Sequence, residues 1–580
     1  MDLGMKSLPP KAAKRFKIWC LRLLLLTVVA LIAISCYVWE KLYHVYPQEF
    51  SGEVANAEFK YGSIGVEEDG GIPYWIWVVL PRIFPEYLPS PGGYTSLGIL
   101  WEPGSEMPVG FSKRRIGYER VGINCAICHT GSYRTLSEVG VRSNTEIVVG
   151  GPAIRFDPQG YVTFLSACAN DARFNPETIL KAIQYNTQLS WDDQQLYRYL
   201  LIPGTKKALL KQEKEGRWMS QRPPWGPGRI DPFNPVKFGM LGMDAKNDST
   251  IGNSDMLSLW SMDNRRVANG VHLHWDGLST NLLDCSLAGA LGDGATKKSL
   301  PVNKIAKLVD MLRKLPSPQY PLGVDTEVAA EGKAVFEKHC SSCHSPSGSE
   351  INKPVDWETN PSTKQHATDR HRLEMWNAKG SDGRAPYEIY NRFGDGYRWD
   401  LNSFVSTKGY ISVPLNGIWA RGPYLHNGSV PTIEDLLNPP ASADEAFAFI
   451  QESDPNALEW LTQHYLNVEG PRLDRVELAA KADWLREVVN QVIERSREKG
   501  VRPPIFFRGG DFIDEKRLGF VADGSTYDGR SLLFPYVTLI PGNGNSGHLY
   551  GTDLNSSEKK SLIEFLKWDS VESSGGDRGR

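Results

Sequence analysis

Two copies of the pattern Cys-x-x-Cys-His constrain this chain more than any other feature of its sequence. They are Cys125-Ala-Ile-Cys128-His129 and Cys340-Ser-Ser-Cys343-His344. Two thiols at this spacing can form thioether bonds to the vinyl groups of one haem, and the adjacent imidazole then ligates its iron. One shared zinc site is excluded, because its two cysteine pairs would lie about 15–20 residues apart. The sequence therefore predicts two covalently bound haem c groups.

The remaining cysteines do not suggest a dense disulfide framework. Cys20 and Cys36 lie in the apolar N-terminal segment, whereas Cys168 and Cys285 are isolated in the chain. In an oxidising compartment Cys168 and Cys285 either form a disulfide or remain buried thiols. The sequence leaves these alternatives open.

The N-terminal segment predicts a membrane anchor. An apolar run extends over 23–39, residues 18–21 can lengthen it, and five basic residues precede it: Lys6, Lys11, Lys14, Arg15 and Lys17. Because basic flanks stay on the cytoplasmic side, we expect a cytoplasmic tail at 1–17, a helix across the inner membrane at 18–39 and the bulk of the chain in the periplasm. A cleaved signal peptide is the alternative, but the nearest Ala-x-Ala, at 55–57, lies well beyond the apolar run.

Length and periodicity predict a mainly α protein with more than one domain. A chain of 580 residues exceeds one compact core, and its net charge of −3 gives no basic face for nucleic acid. Strand patterns are few and short, and apolar residues recur at helical spacing in four segments: 175–185, 302–315, 326–338 and 473–497. We expect two cytochrome c-like haem domains with long loops: an N-terminal one at 40–320 with a large insertion, and a C-terminal one at 321–569, followed by a disordered tail at 570–580.

The segment before the second motif predicts a close helix crossing. Gly332 lies in the helix that leads to Cys340, and a capping box of Asn555 and Glu558 opens a terminal helix that we expect at 556–568. Because Gly332 has no side chain, the two helices can approach closely. The expected contacts on the terminal helix are Phe565 and Trp568.

Two further segments resemble the bacterial dihaem cytochrome c peroxidase superfamily. Trp275-Asp-Gly277 is similar to the Trp-Asp-Gly segment between the haems of those proteins, and 422–434 (GPYLHNGSVPTIE) is similar to their A-P-Y-x-H-x-G-S-x-x-T-L-E stretch. The resemblance implies that Trp275 relays electrons between the haems. It also implies that His426 lies near a haem as a hydrogen-bonding partner.

The sequence departs from the peroxidases at several positions. Ala295 stands where they have a catalytic glutamate, Pro440 where they have a methionine ligand, and Thr145 where they have a distal ligand of the first haem. These departures argue against an ordinary peroxidase. The long segment between the first motif and Trp275 resembles the branch of rubber oxygenases and dihaem fatty-acid dioxygenases. In that branch the second haem takes a late histidine from a G-H-x-Y-G segment, which here is Gly547-His548-Leu-Tyr-Gly551. The resemblance implies that His548 is the second axial ligand of the second haem.

Other residues keep alternative roles. His272 and His274 lie either near the first haem or in ordinary core and surface positions. The resemblance leaves the calcium site of the peroxidases doubtful, because Arg421 replaces a small residue there.

The predicted function is that of a membrane-anchored dihaem oxidoreductase, with a reactive first haem that binds O2 or peroxide and an electron-transfer second haem. An oxygenase-type reaction on an unsaturated organic substrate is one hypothesis. A peroxidase that reduces H2O2 with Asp276, Asp284 or Asp293 as the acid is the second. The third is a non-enzymatic electron carrier. The expected electron partner is a donor cytochrome or a quinol-linked protein.

Overall fold

The computed structural model describes residues 10–50, 54–136, 142–262, 272–354, 368–397, 399–466, 475–529 and 532–572, and it is mainly helical. The helices before the second haem motif are α1 (Pro10–Leu42), α2 (Val54–Tyr61), α3 (Tyr74–Ile83), α4 (Pro158–Asn170), α5 (Pro176–Gln184), α6 (Trp191–Leu196), α7 (Ile202–Glu215), α8 (Leu282–Gly292) and α9 (Val302–Lys314). A π turn over Tyr197–Leu201 joins α6 to α7.

The remaining helices carry and surround the second motif. They are α10 (Thr326–His339), α11 (Ser341–His344), α12 (His371–Asn377), α13 (Pro386–Tyr390), α14 (Ile433–Leu436), α15 (Ala443–Ser453), α16 (Pro455–Leu461), α17 (Arg475–Ala480), α18 (Ala482–Lys499) and α19 (Ser556–Glu572).

The strands are short and pair antiparallel. They are β1 (Ile72–Pro73), β2 (Phe111–Ile116), β3 (Tyr118–Ile123), β4 (Thr130–Tyr133), β5 (Glu146–Val149), β6 (Arg229–Ile230), β7 (Ser254–Asp255), β8 (Ile505–Arg508) and β9 (Phe534–Val537). The order β1-β3-β2 forms one sheet, and β4·β5, β6·β7 and β8·β9 are separate pairs. The first haem motif lies between β3 and β4, where the chain passes from one sheet to the next.

Helix α1 is long and apolar enough to cross a membrane. Its stretch Lys14–Leu42 reaches a mean hydropathy of 2.4 and buries none of that window inside the protein. A signal sequence near an N-terminus has the same properties. The helix begins at Pro10, within the predicted cytoplasmic tail.

Helices α10 and α19 cross closely, as the glycine predicts. A Cβ atom on Gly332 would lie 1.8 Å from the Ser561 carbonyl oxygen, so only glycine fits the crossing. Phe336 packs against Phe565 with ring centroids 5.1 Å apart. This pair of helices holds the second haem motif at one end.

The predicted helices are confirmed with shifts at their ends, apart from two differences. The segment predicted as one helix at 473–497 is two helices, α17 and α18, separated at Lys481, and residues 473 and 474 lie outside the described residues. Helix α19 opens on the predicted capping box but continues to Glu572. The prediction of a disordered tail is therefore wrong for 570–572, and 573–580 lie outside the described residues.

Candidate haem sites

The second Cys-x-x-Cys-His motif lies where α10 ends and α11 begins. Asp325 caps α10 by accepting a hydrogen bond from the Val328 amide at 3.1 Å. The His344 Nδ1 atom lies 2.8 Å from the Val413 carbonyl oxygen. Because a carbonyl can only accept, Nδ1 carries the proton and Nε2 keeps its lone pair for a metal. Burial lowers the pKa of His344, which keeps the ring neutral as ligation requires.

His548 lies opposite His344, with the two ring centroids 6.3 Å apart. Two imidazoles on opposite faces of one iron have centroids about 6 Å apart, because each metal–nitrogen bond is about 2 Å and each nitrogen lies about 1 Å from its ring centre. The structure thus brings together the histidine of the motif and the late histidine of the G-H-x-Y-G segment. Their separation fits one haem iron between them.

Arg502 holds the loop that carries His548. Its buried guanidinium donates hydrogen bonds of 2.5–2.9 Å to five main-chain carbonyl oxygens, those of Leu436, Asn438, Asn545, Gly547 and His548. His548 itself has φ +55°, in the left-handed region that non-glycine residues seldom adopt. Arg502 therefore fixes both the loop and the backbone conformation from which the His548 ring projects.

The first motif is held by a short turn after β3. The Asn124 side chain caps the 3₁₀ segment Cys125–Ile127 by accepting a hydrogen bond from the Ala126 amide at 2.9 Å. The His129 Nδ1 atom lies 2.7 Å from the Leu257 carbonyl oxygen. His129 therefore has the same tautomer as His344, and burial likewise lowers its pKa.

No imidazole faces His129 in the way that His548 faces His344, within the described part of the chain. His274 interacts with His129 electrostatically, and its Nε2 atom is buried without a hydrogen-bond partner among the described residues. Burial, with the charges of Arg372 and His129, lowers the pKa of His274 to about 3. Its ring lies between Phe233 and Phe404, at centroid distances of 5.7 and 6.5 Å. The surroundings of His274 are therefore largely apolar, and its unpartnered nitrogen is available to a ligand.

His272 and Ala295 contribute less to this site. The His272 Nδ1 atom contacts the Gly277 carbonyl oxygen at 3.3 Å, within its own turn. Ala295 is buried in the core formed around α8. The position of the peroxidase carboxylate is thus occupied by an apolar side chain.

Trp275 is hydrogen-bonded to two segments of the chain, and each segment also contacts one of the two motif histidines. Its Nε1–H donates to the Asp255 carbonyl oxygen at 2.9 Å, two residues before Leu257, the partner of His129. The carbonyl oxygen of Trp275 accepts from the Ile411 amide at 2.9 Å, two residues before the partner of His344. One residue therefore joins the two segments that orient the two imidazoles.

His426 is buried between these segments. Its ring stacks on Tyr410 with centroids 4.0 Å apart, and its carbonyl oxygen accepts from the Asp255 amide at 2.8 Å. The Nε2 atom is buried with no hydrogen-bond partner among the described residues, and burial lowers the pKa of His426 to about 3. A buried, unpartnered ring nitrogen fits a hydrogen bond to a haem propionate better than an ordinary core position.

The three candidate acids have different surroundings. Asp276 pairs with Arg372 at 3.3 Å, and Asp284 accepts from the Asn402 and Ser403 amides at 3.1 Å. Asp293 is half-buried and forms no side-chain hydrogen bond with a described residue. Asp276 and Asp284 hold the fold together, so Asp293 is the acid that remains available.

The other predicted positions are as follows. Thr145 is exposed, and Pro440 pairs with Arg502 in an isolated bridge. Arg421 donates to the Pro414 carbonyl oxygen at 2.8 Å. No group of three or more acidic, histidine or cysteine side chains that could hold a metal ion occurs among the described residues.

Cys168 and Cys285 are both free thiols, so they do not form the disulfide that the sequence left open. Cys168 is fully buried in the N-terminal core.

Arg502 is the functional residue that sequence reasoning missed. All five of its partners are main-chain carbonyl groups, which leave no pattern of side chains in the sequence.

The helix crossing, the motif and the paired imidazoles define a c-type cytochrome domain, whose haem is covalently bound. A cytochrome c family model matches residues 329–407, which include the second motif, and a model described as RoxA-like, cytochrome c-like matches 409–447, which include His426. The chain therefore contains cytochrome c domains related to those of RoxA-like proteins. The first motif lies outside both matched segments.

Two curated relatives, both from Sinorhizobium fredii (strain NBRC 101917 / NGR234), carry the name of uncharacterized proteins. The protein y4iM is 28% identical over 204 residues, which cover 33% of this chain and 46% of the relative. The protein y4iJ is 30% identical over 299 residues, which cover 42% of this chain and 39% of the relative. The chain thus spans less than half the length of either relative.

Proposed function

We propose that the protein is a membrane-anchored, periplasmic cytochrome with two covalently bound haem c groups and an oxygenase-like oxidoreductase activity. The observation that carries this proposal is the difference between the two proximal histidines. His344 has His548 opposite it, which suits electron storage and transfer, because a six-coordinate iron binds no further molecule without losing a ligand. His129 has no such partner among the described residues, which assigns the reaction to the first motif.

Bound haem supplies one-electron chemistry and, where a position on iron is open, a site for O2 or peroxide. The chain's own residues set the conditions for that chemistry. The Leu257 carbonyl keeps the proton of His129 on Nδ1, and Trp275 links the two histidines for electron exchange. Ala295 provides no acid at the position where peroxidases have one, and proton delivery favours O–O cleavage. An apolar site of this kind favours an unsaturated organic substrate that reacts with O2.

The location is supported by α1 and its basic N-terminal flank, because basic residues before an apolar helix favour an N-terminus in the cytoplasm and the following chain on the other side. The anchor keeps the protein near membrane-bound donors. A donor cytochrome or a quinol-linked protein is therefore the proposed electron partner.

The test uses the purified full-length protein, reduced without oxygen and then exposed to O2, CO and H2O2. We expect one haem to remain low-spin throughout and the other to change its visible spectrum reversibly with O2 and CO, without turnover of peroxide. Two low-spin haems that respond to none of the three molecules would overturn the proposal and indicate an electron carrier.

A peroxidase is the second candidate function, because the carboxyl group of Asp293 can serve as its proton donor. Burial raises the pKa of Asp293 to about 7, and its charge contributes to raising the pKa values of Cys125 and Cys128, so it lies close to the first motif. Near neutral pH this carboxyl is partly protonated and can donate a proton to peroxide. Since the acid form is lost as the pH rises through about 7, peroxide turnover should fall over the same range.

The variant Asp293→Asn tests this candidate. If Asp293 is the acid, the variant should lower peroxide turnover by about 10²-fold or more and remove the pH dependence. Asp310→Asn, an exposed position on α9, is the matched control. Turnover that keeps its rate and pH profile in Asp293→Asn would exclude Asp293 as the proton donor.

A further inference from the structure

The outer end of α1 is bonded directly to the haem-carrying part of the chain. Lys41 Nζ forms ion pairs with Asp192 at 2.8 Å and with Asp193 at 2.7 Å, and the Tyr37 hydroxyl donates to Asp192. The two aspartates lie in the first turn of α6, which Ser190 caps. These contacts hold α6 beside the last turns of the apolar helix.

Large apolar and aromatic side chains around α6 are exposed. We name them the aromatic face: Tyr185 is 66% exposed, Trp191 77%, Tyr199 74% and Leu200 51%. Exposed apolar surface of this kind marks a place where a partner or a membrane binds. Tryptophan and tyrosine in particular concentrate at the membrane–water boundary, where an apolar ring and a polar edge are both accommodated.

The position of the aromatic face favours lipid as its occupant. Trp191 directly precedes Asp192, whose partner Tyr37 lies near the end of the apolar stretch of α1. Trp39, on α1, and Tyr43, just after the end of α1, are also more than half exposed. Trp191 is therefore held at the level where α1 leaves the hydrocarbon core.

The distance between Tyr199 and Trp191 determines how the aromatic face can lie relative to the membrane plane. Tyr199 follows Trp191 by two turns of continuous helix, or about 12 Å of helical rise. The headgroup layer on each side of a bilayer is only roughly 5–8 Å thick. Both rings can lie in that layer only if α6 runs along the membrane surface. Arg198, in the same turn, forms an ion pair with Glu177 at 3.0 Å while its side chain stays 37% exposed, so it would then contact lipid phosphates as well.

We propose that the aromatic face lies in the headgroup layer of the membrane that α1 crosses, so that the domain rests on the bilayer along α6. This inference rests on the proposed membrane anchoring and adds a second, peripheral contact to it. The occupant is the lipid surface itself, and the chemistry that recognises it is aromatic and cationic.

The experiment uses the full-length protein in vesicles of phosphatidylcholine and phosphatidylglycerol. The variants Trp191→Cys and Tyr199→Cys are labelled with the fluorophore NBD, whose emission rises in an apolar environment, and the unsubstituted protein measures labelling of native cysteines. The control is Phe447→Cys, at an exposed position on α15, which packs on α16 and α18. We expect emission from positions 191 and 199 to rise at least about twofold on vesicle binding and to be quenched by lipids brominated near the headgroup, with no change at 447.

Flotation of the vesicles separates this inference from the anchoring that it rests on. Protein that does not float with vesicles after a high-salt wash lacks the anchor, which would overturn the membrane part of the proposed function and this inference with it. Protein that floats while the label at 199 stays in water keeps its anchor, and only the contact along α6 is then wrong. An unchanged haem absorption spectrum shows that each variant is folded.

Discussion

The two Cys-x-x-Cys-His motifs are alike on one side of the histidine and different on the other. His129 and His344 each place Nδ1 against a main-chain carbonyl oxygen, at 2.7 and 2.8 Å, and burial keeps both rings neutral. The ring of His344 lies 6.3 Å from that of His548, whereas no described imidazole lies opposite His129 in the same way, and His274 interacts with it electrostatically. The two motif histidines thus share one main-chain arrangement at Nδ1 and differ in the groups on the opposite side of the ring.

The variant His548→Ala should have the largest effect, which is a change of spin state at the second haem site. Removing the ring should leave the second iron with one protein ligand, so its low-spin signal should disappear and a second high-spin signal should appear in the electron paramagnetic resonance spectrum. His464→Ala is the control, since His464 packs on Trp460 instead. A low-spin signal that survives in His548→Ala would show that another residue pairs with His344.

Arg502→Met should break the same site indirectly. Five carbonyl groups lose a charged donor, and some remain buried, so the free energy of unfolding should fall by at least about 3 kcal/mol. The loosened loop should also give a mixture of low-spin and high-spin haem at the second site, while the first site is unchanged. Arg502→Lys keeps the charge and should recover part of both. Denaturant unfolding and paramagnetic resonance measure the two effects. A free energy of unfolding within about 0.5 kcal/mol of the parent protein's would show that Arg502 does not hold the His548 loop.

Gly332→Ala tests the helix crossing that supports only the second motif. The added methyl would collide with the Ser561 carbonyl, so unfolding should become easier by about 1–3 kcal/mol. Gly289→Ala, on α8, is a matched glycine in a helix with open space around it and should stabilise the protein by up to about 1 kcal/mol. Equal melting temperatures for the two variants would contradict the close crossing.

Trp275→Phe should have the smallest effect on stability. This variant tests whether Trp275 takes part in electron transfer between the two sites. The apolar ring is kept and one hydrogen bond to Asp255 is lost, which costs about 1 kcal/mol. Electron equilibration between the two haems after partial reduction should become slower. Trp484→Phe loses a comparable bond, from Nε1–H to Asp454 at 2.8 Å, and is the control. Equal equilibration rates in both variants would remove Trp275 from the relay.

Local patterns in the sequence predicted the parts of the molecule that depend on neighbouring residues. The helix periodicity, the capping box at Asn555 and the close approach at Gly332 all agree with the structure. The break at Lys481 was missed, because apolar spacing continues across it.

Contacts through the main chain could not be predicted in this way. Among the described residues Arg502 donates to main-chain carbonyl groups. The hydrogen bonds of Trp275 to Asp255 and Ile411 likewise involve the main chain of both partners, and their side chains take no part. The position of His548 was predicted only because its surrounding segment resembles a known motif.

The two histidines of the proposed second haem site lie far apart in the chain, which affects the order in which that site can form. His344 follows Cys343 directly, but His548 follows only after α12 to α18, and its loop is fixed by Arg502 at the end of that long segment. In a chain that is synthesised from its N-terminus, Cys340, Cys343 and His344 are therefore all present well before His548. Until the chain has been completed through α19, the segment 340–344 lacks both His548 and the helix that packs on α10. The loop around His548 therefore joins the proposed second haem site late in the synthesis of the chain.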